Sequence, residues 1–140
     1  MGSRNDRLIK AKAAFLFLAL FFIFTLPLAY GNEMVTVNKG FNGREIKVRA
    51  GSTIRVELEQ AGPAGYLWEI ENLDKEHFEV LSVTTPEPPD TGDFAGAPII
   101  KTWLIRAKTK GKSALKFIHY RPWERVEQAV ETFFITVRIL

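Results

Sequence analysis

The sequence predicts an all-β domain, a sandwich or barrel of seven to eight strands. Beyond residue 31, apolar and polar residues alternate in successive short runs, as in Ile54-Arg55-Val56-Glu57-Leu58. Such alternation turns one face of a strand toward a core and the other toward water. Turn-forming residues separate the runs, for example Asn42-Gly43 and Lys110-Gly111-Lys112, and no long amphipathic helix is indicated. This combination is typical of a β-sandwich or barrel.

The individual strands follow from the positions of these runs. The second strand is expected to bury Ile46 and Val48, and the fourth to bury Trp68 and Ile70. Trp103 lies on a later strand with the same alternation, so both Trp68 and Trp103 are expected in the core. The predicted strands lie near residues 34–38, 44–50, 53–60, 66–72, 78–85, 100–107, 113–120 and 132–140.

Three connections do not fit tight hairpin turns. The first loop, Ala61–Gly65, runs straight into Tyr66; the middle loop, Thr85–Ile99, contains four prolines; the third loop, Tyr120–Glu131, opens with Arg121-Pro122-Trp123-Glu124. If successive strands run up and down, these three connections share one end of the domain. Long loops gathered at one end of a β-sandwich often carry a binding site.

Residues 1–31 have the composition of an export signal. A basic segment ends at Lys12, and the apolar run Phe15–Leu26 follows it. That run is about 12 residues long, short of the ~20 that a membrane-spanning helix needs, and small residues precede Asn32. We expect a signal peptide at 1–31 and a mature domain at 32–140, exported to the periplasm or secreted. An uncleaved anchor is the alternative.

Composition excludes several classes of function. Of the 19 Lys and Arg residues and the 16 Asp and Glu residues, four and one lie in residues 1–31, so the rest balance at 15 each. This balance argues against binding to nucleic acid or to a membrane surface. The chain has no cysteine, which excludes disulfides, thiol catalysis and cysteine-ligated zinc. We expect one domain and a monomer.

Residues suited to catalysis are sparse. The serines beyond residue 31 lie outside any nucleophile motif, and His77 and His119 are far apart without metal-ligand spacing. We therefore expect no catalytic residue, no metal and no cofactor. His77 is predicted to lie in a solvated turn and His119 to be a partly buried strand residue. A small hydrolase is the least supported alternative.

Trp123 is the strongest candidate for recognition. It follows Pro122 in a polar loop and fits no core pattern of period two. Trp, Tyr and Arg most often dominate interface energetics, and a proline lowers the entropy lost when a loop is presented to a partner. Two interpretations stay open here: Trp123 contacts a partner, or it folds back over the end of the domain.

Three motifs occur in a fixed order: Gly65-Tyr66-x-Trp68, then Gly96-Ala97-Pro98, then Arg121-Pro122-Trp123. This order resembles that of the chagasin family of cysteine-peptidase inhibitors. Its members carry an Asn-Pro-Thr-Thr-Gly-Tyr/Phe-x-Trp segment, a glycine-rich middle loop and an Arg-Pro-Trp loop. The resemblance spans about Lys39 to Leu140. It implies an immunoglobulin-like β fold and reversible, occluding inhibition of papain-like cysteine peptidases.

The resemblance also implies a role for each loop. The first loop would lie over the catalytic cysteine of the peptidase, and the other two loops would contact the walls of its cleft. The missing Cβ of Gly65 would allow the backbone a close approach. The implied contact residues are Pro63, Ala64, Gly65 and Tyr66, then Gly96, Ala97 and Pro98, then Arg121, Pro122 and Trp123.

The first loop departs from the family pattern. Ala61-Gly62-Pro63-Ala64 replaces Asn-Pro-Thr-Thr, so one amide and two hydroxyl groups are lost. Hydrogen bonds from those side chains cannot form here. This departure motivates the alternative function, a non-inhibitory exported immunoglobulin-like module that binds a protein or a glycan.

Overall fold

The computed structural model describes residues 33–60, 65–86 and 99–140. These residues form eight strands and two 3-10 turns, Lys39–Phe41 and Val126–Gln128. The strands are β1 (Met34–Val37), β2 (Glu45–Val48), β3 (Thr53–Gln60), β4 (Leu67–Glu71), β5 (Phe78–Thr84), β6 (Ile99–Ala107), β7 (Gly111–Tyr120) and β8 (Glu131–Ile139). The all-β prediction is confirmed, and each strand bound differs from its prediction by two residues at most. The leader predicted at residues 1–31 lies outside the described residues.

The strands form two separate four-stranded sheets, so the domain is a sandwich. One sheet has the order β1-β3-β6-β5 and the other the order β2-β8-β7-β4. The β1–β3 and β2–β8 pairs are parallel, and the remaining pairs are antiparallel. No helix in the described part of the chain is long and apolar enough to cross a membrane. The immunoglobulin-like description of the fold stays a prediction.

The core lies between the inward faces of the two sheets. Trp68 and Trp103 are both buried there, as predicted. The Trp103 ring of one sheet meets Phe117 of the other edge-on at 4.9 Å, which joins the two sheets. Phe117 also lies 5.9 Å from Phe133 on the neighbouring strand. The same alternation that predicted the strands places these rings inward. A sandwich core of this kind gives its terminal loops a rigid base.

One end of the sandwich, the loop end, holds the strand ends that flank the three long connections. Gln60 of β3 pairs with Ile99 of β6, and Leu67 of β4 pairs with Tyr120 of β7. The Trp68 indole Nε1 donates a hydrogen bond of 2.9 Å to the carbonyl of the β3 residue Glu59, which joins the two sheets. The strand ends that flank the three loops therefore lie together, as the alternating directions predicted.

The opposite end, the turn end, consists of the connections at residues 49–52, 72–77 and 108–110. Asp74 accepts hydrogen bonds from Ser113 Oγ at 2.7 Å and from His77 Nδ1 at 2.8 Å. The pKa of Asp74 is lowered to about 2, chiefly by the hydrogen bond from Ser113. The backbone N–H of Lys108 donates to the His77 carbonyl at 2.8 Å, which ties two connections together.

His77 corrects one sequence prediction. It lies in a turn, as expected, but its side chain is only 18% exposed because Asp74 holds the ring in place. Gly111, with a φ of +145°, allows this packing, since an added Cβ would lie 2.7 Å from His77 Nε2. Asp74, Glu76 and His77 bring their potential ligand atoms within 4.8 Å of one another. Hydrogen bonds within the turn already use Asp74, so we assign the trio to the turn's structure.

Candidate functional site

Trp123 and Gly65 form the contact between the first and third loops. Gly65 has a φ of +76°, in the left-handed region that favours glycine. A Cβ at this position would overlap Trp123 Cη2 and would lie 3.2 Å from Cζ2 and Cζ3. The edge of the indole therefore lies against the Gly65 backbone. Trp123 is nevertheless 71% exposed, so one edge covers Gly65 while most of the ring faces solvent.

The third loop opens with a tight turn. The backbone N–H of Glu124 donates to the Arg121 carbonyl at 2.9 Å, which closes four residues with Pro122 in second place and Trp123 in third. Proline favours that second position because its ring already fixes the required φ. Arg121 also pairs with Glu124 Oε1 at 3.2 Å. The sequence Arg-Pro-Trp-Glu thus folds locally into a turn that presents the indole.

Arg121 joins this turn to the chain that follows the first loop. Its guanidinium carbon lies 4.4 Å from the centre of the Tyr66 ring and 6.0 Å from the centre of the Trp123 ring. Arginine over an aromatic face is attracted by the ring quadrupole. Gly65, Tyr66, Arg121 and Trp123 therefore form one continuous surface from two loops, which we call the two-loop surface.

Buried rings pack against the core-facing side of the two-loop surface. The His119 ring lies 5.5 Å from the Tyr66 ring and stacks on Trp68 at 4.6 Å, with only 4° between the ring planes. His119 is 6% exposed, and burial lowers its pKa while nearby Glu131 opposes that shift. A line of contacts thus runs from the half-buried Arg121 through Tyr66 and His119 to the core.

A fourth connection, between β1 and β2, also lies at the loop end. Asn42 accepts a hydrogen bond of 2.9 Å from the backbone N–H of Phe134, and Gly43 donates one of 2.8 Å to the Phe134 carbonyl. Lys39 in this connection pairs with Glu131 at 2.9 Å and lies 5.5 Å from the centre of the Trp68 ring. Sequence reasoning missed Lys39. The Asn42-Gly43 turn and the alternation of strand directions could have placed it here.

The structure places half of the predicted contact residues. Gly65, Tyr66, Arg121, Pro122 and Trp123 come together at the loop end. The others lie outside the described residues, and their role stays a prediction. They are Pro63 and Ala64 of the first loop and Gly96, Ala97 and Pro98 of the middle loop.

Comparison with known proteins gives one family and several similar folds. The sequence model of a family described as "Chagasin family peptidase inhibitor I42" matches residues 47–137. The fold is similar to that of a cysteine protease inhibitor from Entamoeba histolytica, with a TM-score of 0.68, 19% identity, and 77% of this chain and 96% of the other covered. No curated protein matches the chain in sequence.

Two further solved structures have a similar fold. Amebosin aligns with a TM-score of 0.62 and 17% identity, over 79% of this chain and 100% of the other. The Leishmania mexicana protein ICP aligns with a TM-score of 0.52 and 18% identity, over 82% of this chain and 96% of the other. At these identities the likeness establishes the fold.

Proposed function

The chain belongs to the chagasin family of peptidase inhibitors, as its loop motifs predicted, and we propose that it reversibly inhibits papain-like cysteine peptidases by occluding their active-site cleft. The observation that carries this proposal is the two-loop surface, in which an exposed indole and an arginine are held against a glycine backbone. Inhibition by occlusion is binding without turnover. It therefore requires no nucleophile, metal or cofactor in this chain.

Preorganisation makes the two-loop surface suitable for tight binding. The turn hydrogen bond at Arg121, the ring of Pro122 and the contact of Trp123 with Gly65 all restrict the third loop before any partner arrives. A surface that is already ordered loses less entropy on association. Protease–inhibitor interfaces bury roughly 1,600 Å² in total, and the middle loop would supply the rest of the contact.

The altered first loop shifts the expected balance of contacts toward the third loop. Residues 61–64 lack the family's asparagine and threonines, so binding at the first loop would rest on backbone groups and on Tyr66. In the structure, the edge of the Trp123 ring occupies the space that a Cβ at Gly65 would take. We therefore expect Trp123 to carry a large share of the binding free energy.

Titration of papain and of a cathepsin with the purified protein, followed with a fluorogenic substrate, tests this proposal. We expect dose-dependent loss of activity that is recovered on dilution. Trp123→Ala should weaken binding about thirtyfold or more, corresponding to about 2 kcal/mol for an interface hot spot. Phe134→Ala is the matched control, because Phe134 is also an exposed aromatic residue but lies on strand β8.

Two outcomes would contradict the proposal. Equal inhibition by wild type and Trp123→Ala would refute the loop assignment even if the protein inhibits. No inhibition by a folded protein at micromolar concentration would favour the alternative, an exported binding module without inhibitory activity. The altered sequence at Ala61–Ala64 is what motivates that second function.

We also propose that the protein is exported, which directs the inhibitor to peptidases outside the cytoplasm of the producing cell. The support is the basic and apolar composition of residues 1–31. Mass spectrometry of the protein recovered from the periplasm or the medium tests whether the chain is exported and cleaved. A chain that begins at Asn32 is expected, and an intact chain retained in the membrane fraction would indicate the uncleaved anchor instead.

A further inference from the structure

His119 is a buried titratable residue that contacts Tyr66, which follows the first loop, and Val130, near the end of the third loop. Its ring packs on Tyr66 and stacks on Trp68 in the core. Its backbone carbonyl accepts a hydrogen bond of 2.9 Å from the N–H of Val130. Its Nδ1 lies 3.7 Å from Glu131 Oε2. One residue, through its ring and its backbone carbonyl, therefore links the two loops to the sandwich.

The arrangement suits a neutral imidazole. His119 Nε2 is buried and has no hydrogen-bond partner within the described parts of the chain. When imidazole is protonated, both ring nitrogens carry hydrogens, so Nε2 becomes a buried donor that needs an acceptor. A buried donor without an acceptor retains the cost of its lost hydration. Protonation of His119 therefore opposes the position in which the ring is found.

The charged groups around His119 strengthen this argument. Glu131 of β8 is the one acidic group near the ring among the described residues, and Lys39 already engages both of its oxygens, at 2.9 and 3.0 Å. Burial lowers the pKa of His119, Glu131 raises it, and Lys39 lowers it again, with a net decrease. The carboxylate is therefore shared with a competing cation.

Two more cations contact the residues on which the His119 ring packs. Arg121 of the third loop stacks on the same Tyr66 ring at 4.4 Å. Lys101 of β6 donates a hydrogen bond of 2.8 Å to the carbonyl of Trp68. A positive charge at His119 would be repelled by these cations.

We propose that neutral His119 is a positioning residue for the two-loop surface, and that its protonation loosens Tyr66 and the base of the third loop and so weakens peptidase binding in acid. This inference rests on the proposed function. Binding that requires neutral His119 falls by up to about tenfold for each pH unit below the pKa of that residue in the free protein. Since histidine ordinarily titrates near pH 6.5 and burial lowers that value here, the loss lies below about pH 6.5.

The first experiment measures the Kd of the purified protein for papain between pH 7.5 and 4.5. His119→Phe keeps a ring that can stack on Trp68 but cannot be protonated, and His77→Gln at the turn end is the matched control. We expect the ratio of the wild-type Kd to that of His119→Phe to rise at least fivefold as the pH falls. Because both Kd values are measured against papain at the same pH, the effects of papain's own ionisations cancel in the ratio. Equal pH dependence in wild type and His119→Phe would overturn the inference.

The second experiment follows the free protein by NMR, without any peptidase. The two histidines are distinguished by the signal missing in His77→Gln. We expect the ring signals of Tyr66 and Trp123 to shift with the midpoint at which His119 titrates. Signals that stay fixed through that midpoint would overturn the inference, even if His119→Phe does not fold. Absence of papain binding at pH 7.5 would instead refute the proposed function, and this titration would still decide the positioning role.

Discussion

The turn end and the loop end of the sandwich use polar groups in different ways. At the turn end, Asp74 gathers hydrogen bonds from Ser113 and His77, and the connections bond to one another. At the loop end, Trp123 lies largely in solvent and the His119 ring is buried with Nε2 lacking a partner among the described residues. The comparison indicates that hydrogen bonds fix the turn end, whereas the loop end combines an exposed indole with a buried imidazole, as the proposed binding surface and its proposed pH dependence require.

Alanine at two of the glycines with positive φ, one at each end of the sandwich, is expected to separate these ends with the largest effect. Gly65→Ala and Gly51→Ala both place a Cβ at positive φ, which costs about 1–2 kcal/mol of stability. Only at Gly65 does that Cβ overlap Trp123; at Gly51 nothing lies within 4 Å. We therefore expect Gly65→Ala to weaken papain binding about tenfold or more, and Gly51→Ala to leave it unchanged.

Thermal unfolding and inhibition assays on both variants check this prediction. Similar losses of melting temperature with unequal losses of affinity would support the division between the ends. If Gly51→Ala weakened binding as much as Gly65→Ala, global destabilisation would explain both, and the contact between Gly65 and Trp123 would have no specific role.

The local features of this fold could be predicted from the sequence, but its long-range contacts could not. Alternation over Ile54–Leu58 depends on neighbouring residues alone, so it located strand β3 and its buried face. The contact between Gly65 and Trp123 joins residues far apart in sequence, and no local pattern encodes it. The parallel pairing of β1 with β3 likewise depends on where the intervening strand packs.

The histidines show where local reasoning stopped short. The i, i+3 spacing of Asp74 and His77 is a local signal that could have predicted their hydrogen bond within the turn. His119 was correctly expected on a strand, but it is buried more fully than the partly buried position that was predicted. Its contacts with Tyr66 and Trp68 depend on the pairing of β4 with β7, which a single sequence does not specify.

Acid is expected to destabilise the turn end through Asp74. The pKa of this carboxyl is about 2, below its ordinary 3.8, so the folded protein holds fewer protons than the unfolded chain between these values. Stability is therefore full above about pH 4 and falls as the pH approaches 2. Asp74→Asn should reduce stability at neutral pH, flatten this pH dependence and leave papain binding at pH 7 unchanged.

Chemical denaturation at several pH values measures that effect. Glu45 contributes in the same range, because hydrogen bonds from Arg138 and Lys112 lower its pKa to about 2. Glu45→Gln is therefore the control that removes the other part of the acid dependence. An unchanged acid profile in Asp74→Asn would show that the hydrogen bonds of the turn do not set the stability of this end.

The smallest effect is expected from Lys39, and it tests how charge at the loop end reaches His119. The ion pair with Glu131 is exposed, so Lys39→Gln should cost only about 0.5 kcal/mol of stability. The same change removes a cation that lowers the pKa of His119 and leaves Glu131 without the lysine that engages it. We therefore expect the pKa of His119 to rise, and acid weakening of peptidase binding to begin at higher pH.

The NMR titration of His119 in Lys39→Gln measures this shift directly. Lys116→Gln is the matched control, because the Lys116 side chain is about as exposed as that of Lys39 and pairs with Glu71 in the sheet that contains Glu131. Loss of that pair should change stability by a similar small amount and leave the His119 midpoint where it was. Equal shifts in the two variants would mean that general surface charge, rather than the Lys39–Glu131 pair, controls the protonation of the buried ring.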